Sequence, residues 1–336
     1  MEKKYVVGVD LGGTKIYTAL VDLEGAIVKE VTVKTEAHKG ENVVLEKLLN
    51  TIDDVLEEID INEVKAIGVG SPGPLDVDKG LIVYTPNLPF KNFNIVQPIK
   101  DRYKLDTYLD NDANVATLSE FMFGAGKGSN NMVFITVSTG IGGGAIINGS
   151  LFRGSTSNAL EVGHTTVMKG GPRCGCGNTG CAEAVASGTA IMKRAKEAVE
   201  SKVETALKGY EQVTAKEVFL EAEKGDKVSQ DILNDALSYL GITVANIANT
   251  FDPDKIVIGG GVSEAGRIVF DKIENEMERR CLKTIHNNCK VEKAVLGGKA
   301  GVLGAAALAI LERVSPLKFC LVPFSISVMV DWLTLA

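Results

Sequence analysis

The stretch YVVGVDLGGTKIYTAL, residues 5–20, places two β-rich runs on either side of the Gly12-Gly13 pair. Such runs separated by glycines are typical of consecutive antiparallel strands, and we predict strands over 4–9 and 16–22. The stretch MVFITVSTGIGGGAII, residues 132–147, repeats the pattern of strand, glycine-rich turn and strand. The repeat predicts that the chain folds as two halves related by an internal duplication.

The rest of the chain alternates strand-like and helix-like segments, which predicts an α/β protein. Further strands are expected at 27–34, 64–69, 107–109 and 255–258, and helices at 42–59, 113–123, 187–201, 214–224, 227–249 and 299–313. A stretch rich in Gly, Ser and Asn at 124–131 separates the halves. We therefore expect domains over 1–124 and 125–298, with the helix at 299–313 joining the first domain.

Composition limits the classes of partner and compartment. The chain has 336 residues, a formal net charge of −7 and a pI near 5.3, with no basic cluster for a phosphate backbone. We expect no nucleic-acid partner. The N-terminus enters a strand without an apolar leader, and three of the six cysteines lie within 174–181. This pattern predicts a reducing, cytoplasmic location.

The last segment, SPLKFCLVPFSISVMVDWLTLA at 315–336, is unusually apolar. Pro323 interrupts the apolar run, and Lys318 and Asp331 flank it closely, so we expect no membrane span. Docking of this tail on the protein or on a dimer partner, and an altered reading frame, are both consistent with its composition.

The first glycine-rich turn has the residues of a nucleotide site. Its two glycines allow backbone N–H groups to approach a phosphate, and Asp10 can face the magnesium ion that accompanies it. The same residues also fit an ordinary β-turn. The second turn, within 138–144, offers hydroxyls and amides from the other half, so the pair can hold a triphosphate from opposite sides. The candidate residues are Asp10, Gly12, Gly13, Thr14, Lys15, Thr139 and Gly140.

A third glycine-rich segment, at 259–261, follows the apolar run IVI and precedes a predicted helix. The backbone of Gly260 and Gly261 can lie against a flat adenine or ribose, although a tight strand–helix corner fits equally well. The segments 68–73 and 140–145 match the dinucleotide fingerprint formally. Neither opens a helix, so we reject a Rossmann-type site.

Asp112 ends the sequence Asp-Asn-Asp that follows the predicted strand 107–109 and precedes an alanine-rich helix. Two interpretations fit this position. Asp112 is well placed as a helix N-cap. It is equally suited to accept the proton of an attacking hydroxyl, as the base in phosphoryl transfer does.

One imidazole and three thiols form a candidate metal site: His164, Cys174, Cys176 and Cys181. Glycines between the cysteines allow the chain to wrap around an ion, and this ligand set completes a tetrahedral structural zinc site. Disulfide pairing and unligated thiols are the alternatives, which the cytosolic composition disfavours.

Taken in order along the chain, these motifs resemble the ROK family of sugar kinases and repressors, within the actin/hexokinase superfamily. The resemblance covers about residues 4–313 and rests on the segments 10–15, 110–112, 139–144, 161–164, 174–183 and 259–261. It implies a two-domain, actin/hexokinase-like α/β fold of the duplicated ribonuclease H type, with a cleft between the domains. The repressors carry a helix-turn-helix before the first strand, and few residues precede Tyr5, so we expect a kinase.

Carried over residue by residue, the resemblance implies a role for each motif. Asp112 would contact the sugar and act as the base, and ATP with Mg²⁺ would supply the phosphoryl group. The zinc ion would hold His164 by one ring nitrogen so that the other points at the sugar. The remaining residues implied to contact the sugar are Gly73, Asn87, Asn111, Glu161 and Glu183.

The polar residues of this set predict glucose as the preferred substrate, phosphorylated at its 6-hydroxyl. Carboxylates can accept from several hydroxyls of an unmodified pyranose, and buried polar groups reject sugars that leave them unpaired. The resemblance also points to the branch of the family that acts on glucose. The alternatives are a kinase for fructose, mannose or N-acetylmannosamine, and a non-catalytic sugar sensor. The family resemblance suggests a homodimer.

Overall fold

A computed structural model describes residues 2–85, 87–201 and 203–311. In chain order the strands are β1 (Tyr5–Leu11), β2 (Lys15–Asp22), β3 (Ile27–Lys34), β4 (Val64–Ser71), β5 (Leu75–Asp76), β6 (Leu81–Tyr84), β7 (Lys91–Asn94), β8 (Asp106–Asn111), β9 (Met132–Val137), β10 (Ile141–Ile147), β11 (Ser150–Leu151), β12 (Lys255–Gly259) and β13 (Lys290–Lys293). The helices are α1 (Glu41–Leu56), α2 (Val96–Tyr103), α3 (Asp112–Phe123), α4 (Ala182–Ala186), α5 (Gly188–Glu200), α6 (Ala215–Glu223), α7 (Lys227–Phe251), α8 (Arg267–Arg280), α9 (Lys283–Asn288) and α10 (Ala300–Leu311).

Two five-stranded sheets share one topology. In the first sheet, β2 and β3 extend antiparallel from one side of β1, and β4 and β8 extend parallel from the other. In the second sheet, β9 takes the place of β1, with β10 and β11 antiparallel on one side and β12 and β13 parallel on the other. The strands β5 to β7 form a small separate sheet. The repeated order confirms the duplicated α/β fold predicted from residues 5–20 and 132–147.

Most predicted elements are present. The predicted helix 187–201 is α5, and the Ser187 hydroxyl caps it by accepting from the Ala190 N–H. The short helix α4 before it was not predicted. The predicted turn 138–144 is too long. Only residues 138–140 turn, and the following glycines lie in β10, paired with β9.

Helix α10 packs closely on the first sheet because two glycines leave room for its backbone. Gly8 of β1 and Gly68 of β4 are paired neighbours. A Cβ atom on Gly68 would lie 1.9 Å from the carbonyl oxygen of Ala305, far inside van der Waals contact. The buried side of α10 consists mainly of alanine and other small residues, so sheet and helix approach backbone to backbone.

Helix α3 connects α10 to the second sheet. A Cβ atom on Gly304 of α10 would lie 1.8 Å from the carbonyl oxygen of Val115 in α3. On its other side α3 packs against β9 and β10. One apolar cluster joins these elements and consists of Val115, Leu118, Met132, Phe134, Ile146, Val257, Ala307 and Leu308. The pair α3 and α10 therefore ties the two sheets together through buried contacts.

The domain bounds 1–124 and 125–298 remain a prediction. Residues 312–336, which include the end of the predicted helix 299–313 and the apolar tail, lie outside the described residues. Within the described ranges, the structure contains no helix whose length and apolar character suit a membrane crossing.

We predict that Gly68→Ala lowers the free energy of unfolding by about 1–3 kcal/mol, because the added methyl group must displace the backbone of α10. Gly209→Ala is the matched control, since a Cβ atom there meets nothing within 4 Å. Its effect should stay within about 0.5 kcal/mol. Urea titration measures both variants. A Gly68→Ala protein as stable as the parent would contradict the close approach of α10.

Candidate active site

A cavity of ≈130 Å³ opens at the N-terminal end of α3. It is lined by Asn111, Asp112, Ala113, Asn114, Gly142, Gly143, Ser157, Asn158, Ala159, Leu160 and Glu161. The cavity brings together three predicted site residues, Asn111, Asp112 and Glu161, from the two halves of the chain. A larger depression of ≈280 Å³ beside α5 contains none of the predicted residues.

The capping interpretation of Asp112 is wrong. Asn111 is the N-cap of α3, with an extended backbone and a side-chain oxygen that accepts from the Ala113 N–H at 2.9 Å. Asp112 is the first residue of the helix, and one of its oxygens accepts from the same N–H at 2.8 Å. Because Asn111 supplies the cap, the exposed carboxylate of Asp112 is available to the cavity.

The surroundings of Asp112 make it a stronger proton acceptor than an ordinary aspartate. Protein atoms around the carboxylate restrict its hydration, and this desolvation is the main reason that its pKa is raised. The negative charge of Glu161 raises the pKa further, against the opposing effect of the Ala113 N–H. A carboxylate with a raised pKa is better suited to general-base chemistry near neutral pH.

Asp10 lies at the end of β1, beside the beginning of α10. A Cβ atom on Gly301 would lie 2.7 Å from the Asp10 carboxyl carbon, which shows how closely the helix approaches. Burial raises the pKa of Asp10, the positive charge of Lys15 lowers it, and the charge of Asp112 raises it again. Asp10 and Asp112 are thus close enough to interact electrostatically.

The first predicted phosphate turn joins β1 to β2 and consists of Gly12, Gly13 and Thr14. The Thr35 hydroxyl donates to the Gly12 carbonyl oxygen at 2.6 Å and so holds the turn from the side of β3. Thr14 and Lys15 are exposed. Asn87, predicted from the resemblance as a sugar contact, lies directly against this turn, because a Cβ atom on Gly13 would be 2.6 Å from its Cβ.

The second turn, at 138–140, joins β9 to β10, and Thr139 at its tip is exposed. The predicted Gly260-Gly261 corner lies beside it. Gly260 has a φ of 85°, and a Cβ atom there would lie 2.4 Å from the carbonyl oxygen of Val137, so only glycine fits. The structure therefore brings together the nucleotide candidates of the second half.

A tight turn directs Glu161 into the cavity. The Val162 N–H donates to the Leu160 carbonyl oxygen at 2.6 Å, so the chain reverses at Glu161 before a short 3₁₀ helix that ends at His164. Leu160 has a φ of 64°, and its side chain is buried in the core. Nε2 of His164 lies 3.9 Å from the Glu161 carboxylate.

The other ring nitrogen of His164 faces the cysteine cluster. Its Nδ1 lies 3.6 Å from Sγ of Cys174, and Sγ of Cys176 lies 3.7 Å from Sγ of Cys181. The four ligand atoms all lie within 4.8 Å of one another. A disulfide has an S–S distance of about 2.05 Å, so the disulfide alternative is wrong for these three cysteines.

The spacing of these atoms suits one tetrahedral ion. Two thiolates bound to zinc at about 2.3 Å lie about 3.8 Å apart, and a thiolate and an imidazole nitrogen about 3.6 Å apart. Both values agree with the cluster. Burial, the largest effect, helps raise the pKa of the Cys181 thiol to about 12, so a cation is needed to hold it as a thiolate at neutral pH.

Glu183, at the start of α4, adjoins both the cysteine cluster and the second turn. One of its oxygens lies 3.7 Å from Sγ of Cys174, and the other accepts from the Ile141 N–H at 3.1 Å. Gly73 lies beside Asn111, whose Nδ2 would be 3.4 Å from a Cβ atom at position 73. Both residues therefore border the set predicted to contact the sugar.

Sequence reasoning missed the interactions of Asp110 with Asn114 and Arg153. The Asp110 side chain is almost fully buried and accepts from the Asn111 N–H at 2.8 Å, from Asn114 Nδ2 at 2.8 Å and from Arg153 Nε at 2.7 Å. A carboxylate four residues before a buried asparagine was a usable local signal. Arg153 gave no local signal, because it lies 43 residues from Asp110 in the sequence.

Comparisons with known proteins agree with this geometry. A family model described as the ROK family matches residues 6–312. The chain is 37% identical over 315 residues to a glucokinase of Halalkalibacterium halodurans, which covers 92% of this chain and 96% of the relative.

Two solved structures are similar over most of both chains. The ROK hexokinase of Thermus thermophilus has a TM-score of 0.80 at 35% identity, covering 91% of this chain and 98% of the other. A ROK family glucokinase from Streptomyces griseus, in complex with glucose and AMPPNP, has a TM-score of 0.74 at 34% identity, covering 92% and 100%.

Proposed function

The chain belongs to the ROK family, and on that premise we propose that it is a glucokinase, transferring the γ-phosphoryl group of ATP to the 6-hydroxyl of glucose. The observation that carries the proposal is the carboxylate of Asp112. It is open to a cavity between the two halves, is not the N-cap of α3, and has a raised pKa.

In the proposed reaction, Asp112 accepts the proton of the sugar hydroxyl as its oxygen attacks the γ-phosphorus in line. The new O–P bond forms while the bond from the γ-phosphorus to the bridging oxygen breaks, and ADP leaves with that electron pair. Asn111 directly precedes the base. Its side-chain oxygen accepts from the Ala113 N–H and caps α3, which fixes the direction of Asp112.

The nucleotide would lie between the two glycine-rich turns. Backbone N–H groups of residues 12–14 and 138–140 would donate to its phosphate oxygens, and the Gly260-Gly261 corner would lie against the adenosine. The Mg²⁺ that accompanies ATP would face Asp10 and supplies positive charge that offsets the charge of the phosphates. Lys15 would add a further positive charge at the first turn.

The sugar would be held by Gly73, Asn87, Asn111, Glu161, His164 and Glu183, together with Asp112. Glucose is favoured because the carboxylates of this set accept from several hydroxyls, and an unpaired buried group penalises the wrong epimer. The names of the similar proteins, a glucokinase and a structure with bound glucose, support the same substrate.

We also propose that the cluster of His164, Cys174, Cys176 and Cys181 binds a structural zinc ion. The ligand set and the interatomic distances fit tetrahedral coordination. With Nδ1 of His164 on the metal, Nε2 remains free to contact the sugar beside Glu161. The metal would therefore act on the reaction only through the orientation of His164.

Three further properties belong to the proposal. The division into domains at 1–124 and 125–298 is supported by the separate cores of the two sheets. A cytoplasmic location is supported by the free thiols of the five cysteines within the described residues. The homodimer is supported by the family membership alone.

We predict that Asp112→Asn lowers kcat by about 10²–10⁴-fold while sugar binding persists, because the change removes the base and keeps its shape. Folding should be retained, since Asn111 still caps α3. Coupled detection of ADP and titration calorimetry measure the two effects. Asp54→Asn, on the exposed side of α1, is the control. Turnover within a few-fold of the parent would show that Asp112 is not the base.

We predict about one zinc ion per chain in protein purified without chelator, measured by elemental mass spectrometry. Cys176→Ala should lower both the zinc content and the affinity for glucose, because His164 loses its fixed orientation. Cys281→Ala, which changes a free thiol outside the cluster, should alter neither. Protein that is purified without zinc and still binds glucose tightly would contradict both the zinc site and its proposed link to the sugar.

A further inference from the structure

We propose that Arg153 is a positioning residue that joins two segments of the sugar cavity through its ion pair with Asp110. The proposal rests on the proposed function, because it treats the cavity as the sugar site. Arg153 is not among the residues that line the cavity, so it acts through the segments that do.

Asp110 divides its two oxygens between the halves of the chain. One oxygen accepts from the Asn111 N–H and from Asn114 Nδ2, both at 2.8 Å, and so is committed to the beginning of α3. The other accepts from Arg153 Nε at 2.7 Å. The Asp110 side chain is 1% exposed, so this charge depends on its partners rather than on water.

Arg153 holds the start of the loop that ends in Glu161. Just before it, the Phe152 N–H donates to the Ala145 carbonyl oxygen at 2.8 Å and fixes the chain to β10. The Arg153 carbonyl oxygen then accepts from the Ala159 N–H at 3.1 Å, which closes the loop on itself. Movement of the Arg153 side chain would therefore be transmitted to residues 157–161.

The two segments that the ion pair joins both line the cavity. Residues 111–114 carry the proposed base, and residues 157–161 carry Glu161. Asn111 ends β8 and residues 112–114 begin α3, whereas residues 157–161 belong to no strand or helix, so the sheets alone do not fix the second segment against the first. The hydrogen-bonded ion pair adds this link, because the buried Asp110 carboxylate left without its cation is costly in the interior.

The kinetic test uses Arg153→Met, Asp110→Asn and the double variant, with Arg153→Lys as the conservative change. Arg153→Met should lower kcat/KM for the hexose by roughly 10- to 100-fold. The loss should appear as a higher KM for the sugar and a lower kcat. KM for ATP should change by less than about 3-fold, since neither phosphate turn contacts the pair. Arg153→Lys should recover part of the loss. The double variant should be no worse than the poorer single variant, because both changes break the same link.

Arg194→Met is the matched control, since Arg194 also pairs with an aspartate, Asp235, and is 33% exposed against 34% for Arg153. It should leave every kinetic constant unchanged within about 2-fold. Thermal unfolding of each variant separates loss of positioning from loss of stability. Arg153→Met with an unchanged sugar KM and kcat, or single effects that simply multiply in the double variant, would overturn the proposal.

Titration calorimetry with glucose keeps this test separate from the proposed function. If the parent protein binds glucose but releases no ADP, the kinase proposal fails, and the same set of variants is judged by affinity. Arg153→Met should then weaken glucose binding by roughly 10-fold or more, with the double variant again non-additive. Unchanged affinity in Arg153→Met would overturn the positioning role.

Discussion

The backbone contact of α10 with the first sheet is the constraint on which the rest of the structure depends. Gly8 and Gly68 are neighbours in β1 and β4, and the carbonyl oxygen of Ala305 occupies the space that a side chain on Gly68 would need. Gly304 then allows α3 to approach α10 equally closely. These contacts leave little freedom in the positions of either helix, because interiors pack at high density.

The chemistry of the site follows from the positions of these helices. The N-terminus of α3 carries Asn111 and Asp112, and the beginning of α10 lies against Asp10. Desolvation is the main reason that the pKa values of Asp10 and Asp112 are raised, and the charges of Asp112 on Asp10 and of Glu161 on Asp112 raise them further. Perturbed carboxylates in a cleft are typical of functional sites.

Features with a local pattern were predictable from the sequence, and features made by tertiary contacts were not. The repeat at 5–20 and 132–147 predicted the duplicated topology, and the Cys and His spacing predicted the cluster of four side chains that the structure brings together. Asn111 and Asp112 are both residues that cap helices, so sequence alone could not choose between them. The Asp110–Arg153 pair joins positions 43 apart and left no local signal. The helix predicted directly after residues 259–261 is α8, which begins only at Arg267, because Gly266 with a φ of 74° separates it from a short 3₁₀ helix.

The most direct test of the central claim is the dependence of ADP release on the sugar supplied with ATP and Mg²⁺. A panel of glucose, mannose, galactose, fructose and N-acetylmannosamine gives kcat/KM for each sugar under one set of conditions. The account predicts that glucose has the highest value, because a sugar with an inverted or missing hydroxyl would leave polar groups around the cavity without a hydrogen-bond partner. A value for fructose or N-acetylmannosamine about tenfold above that of glucose would contradict the substrate assignment, and ADP release that no sugar stimulates would contradict the kinase itself.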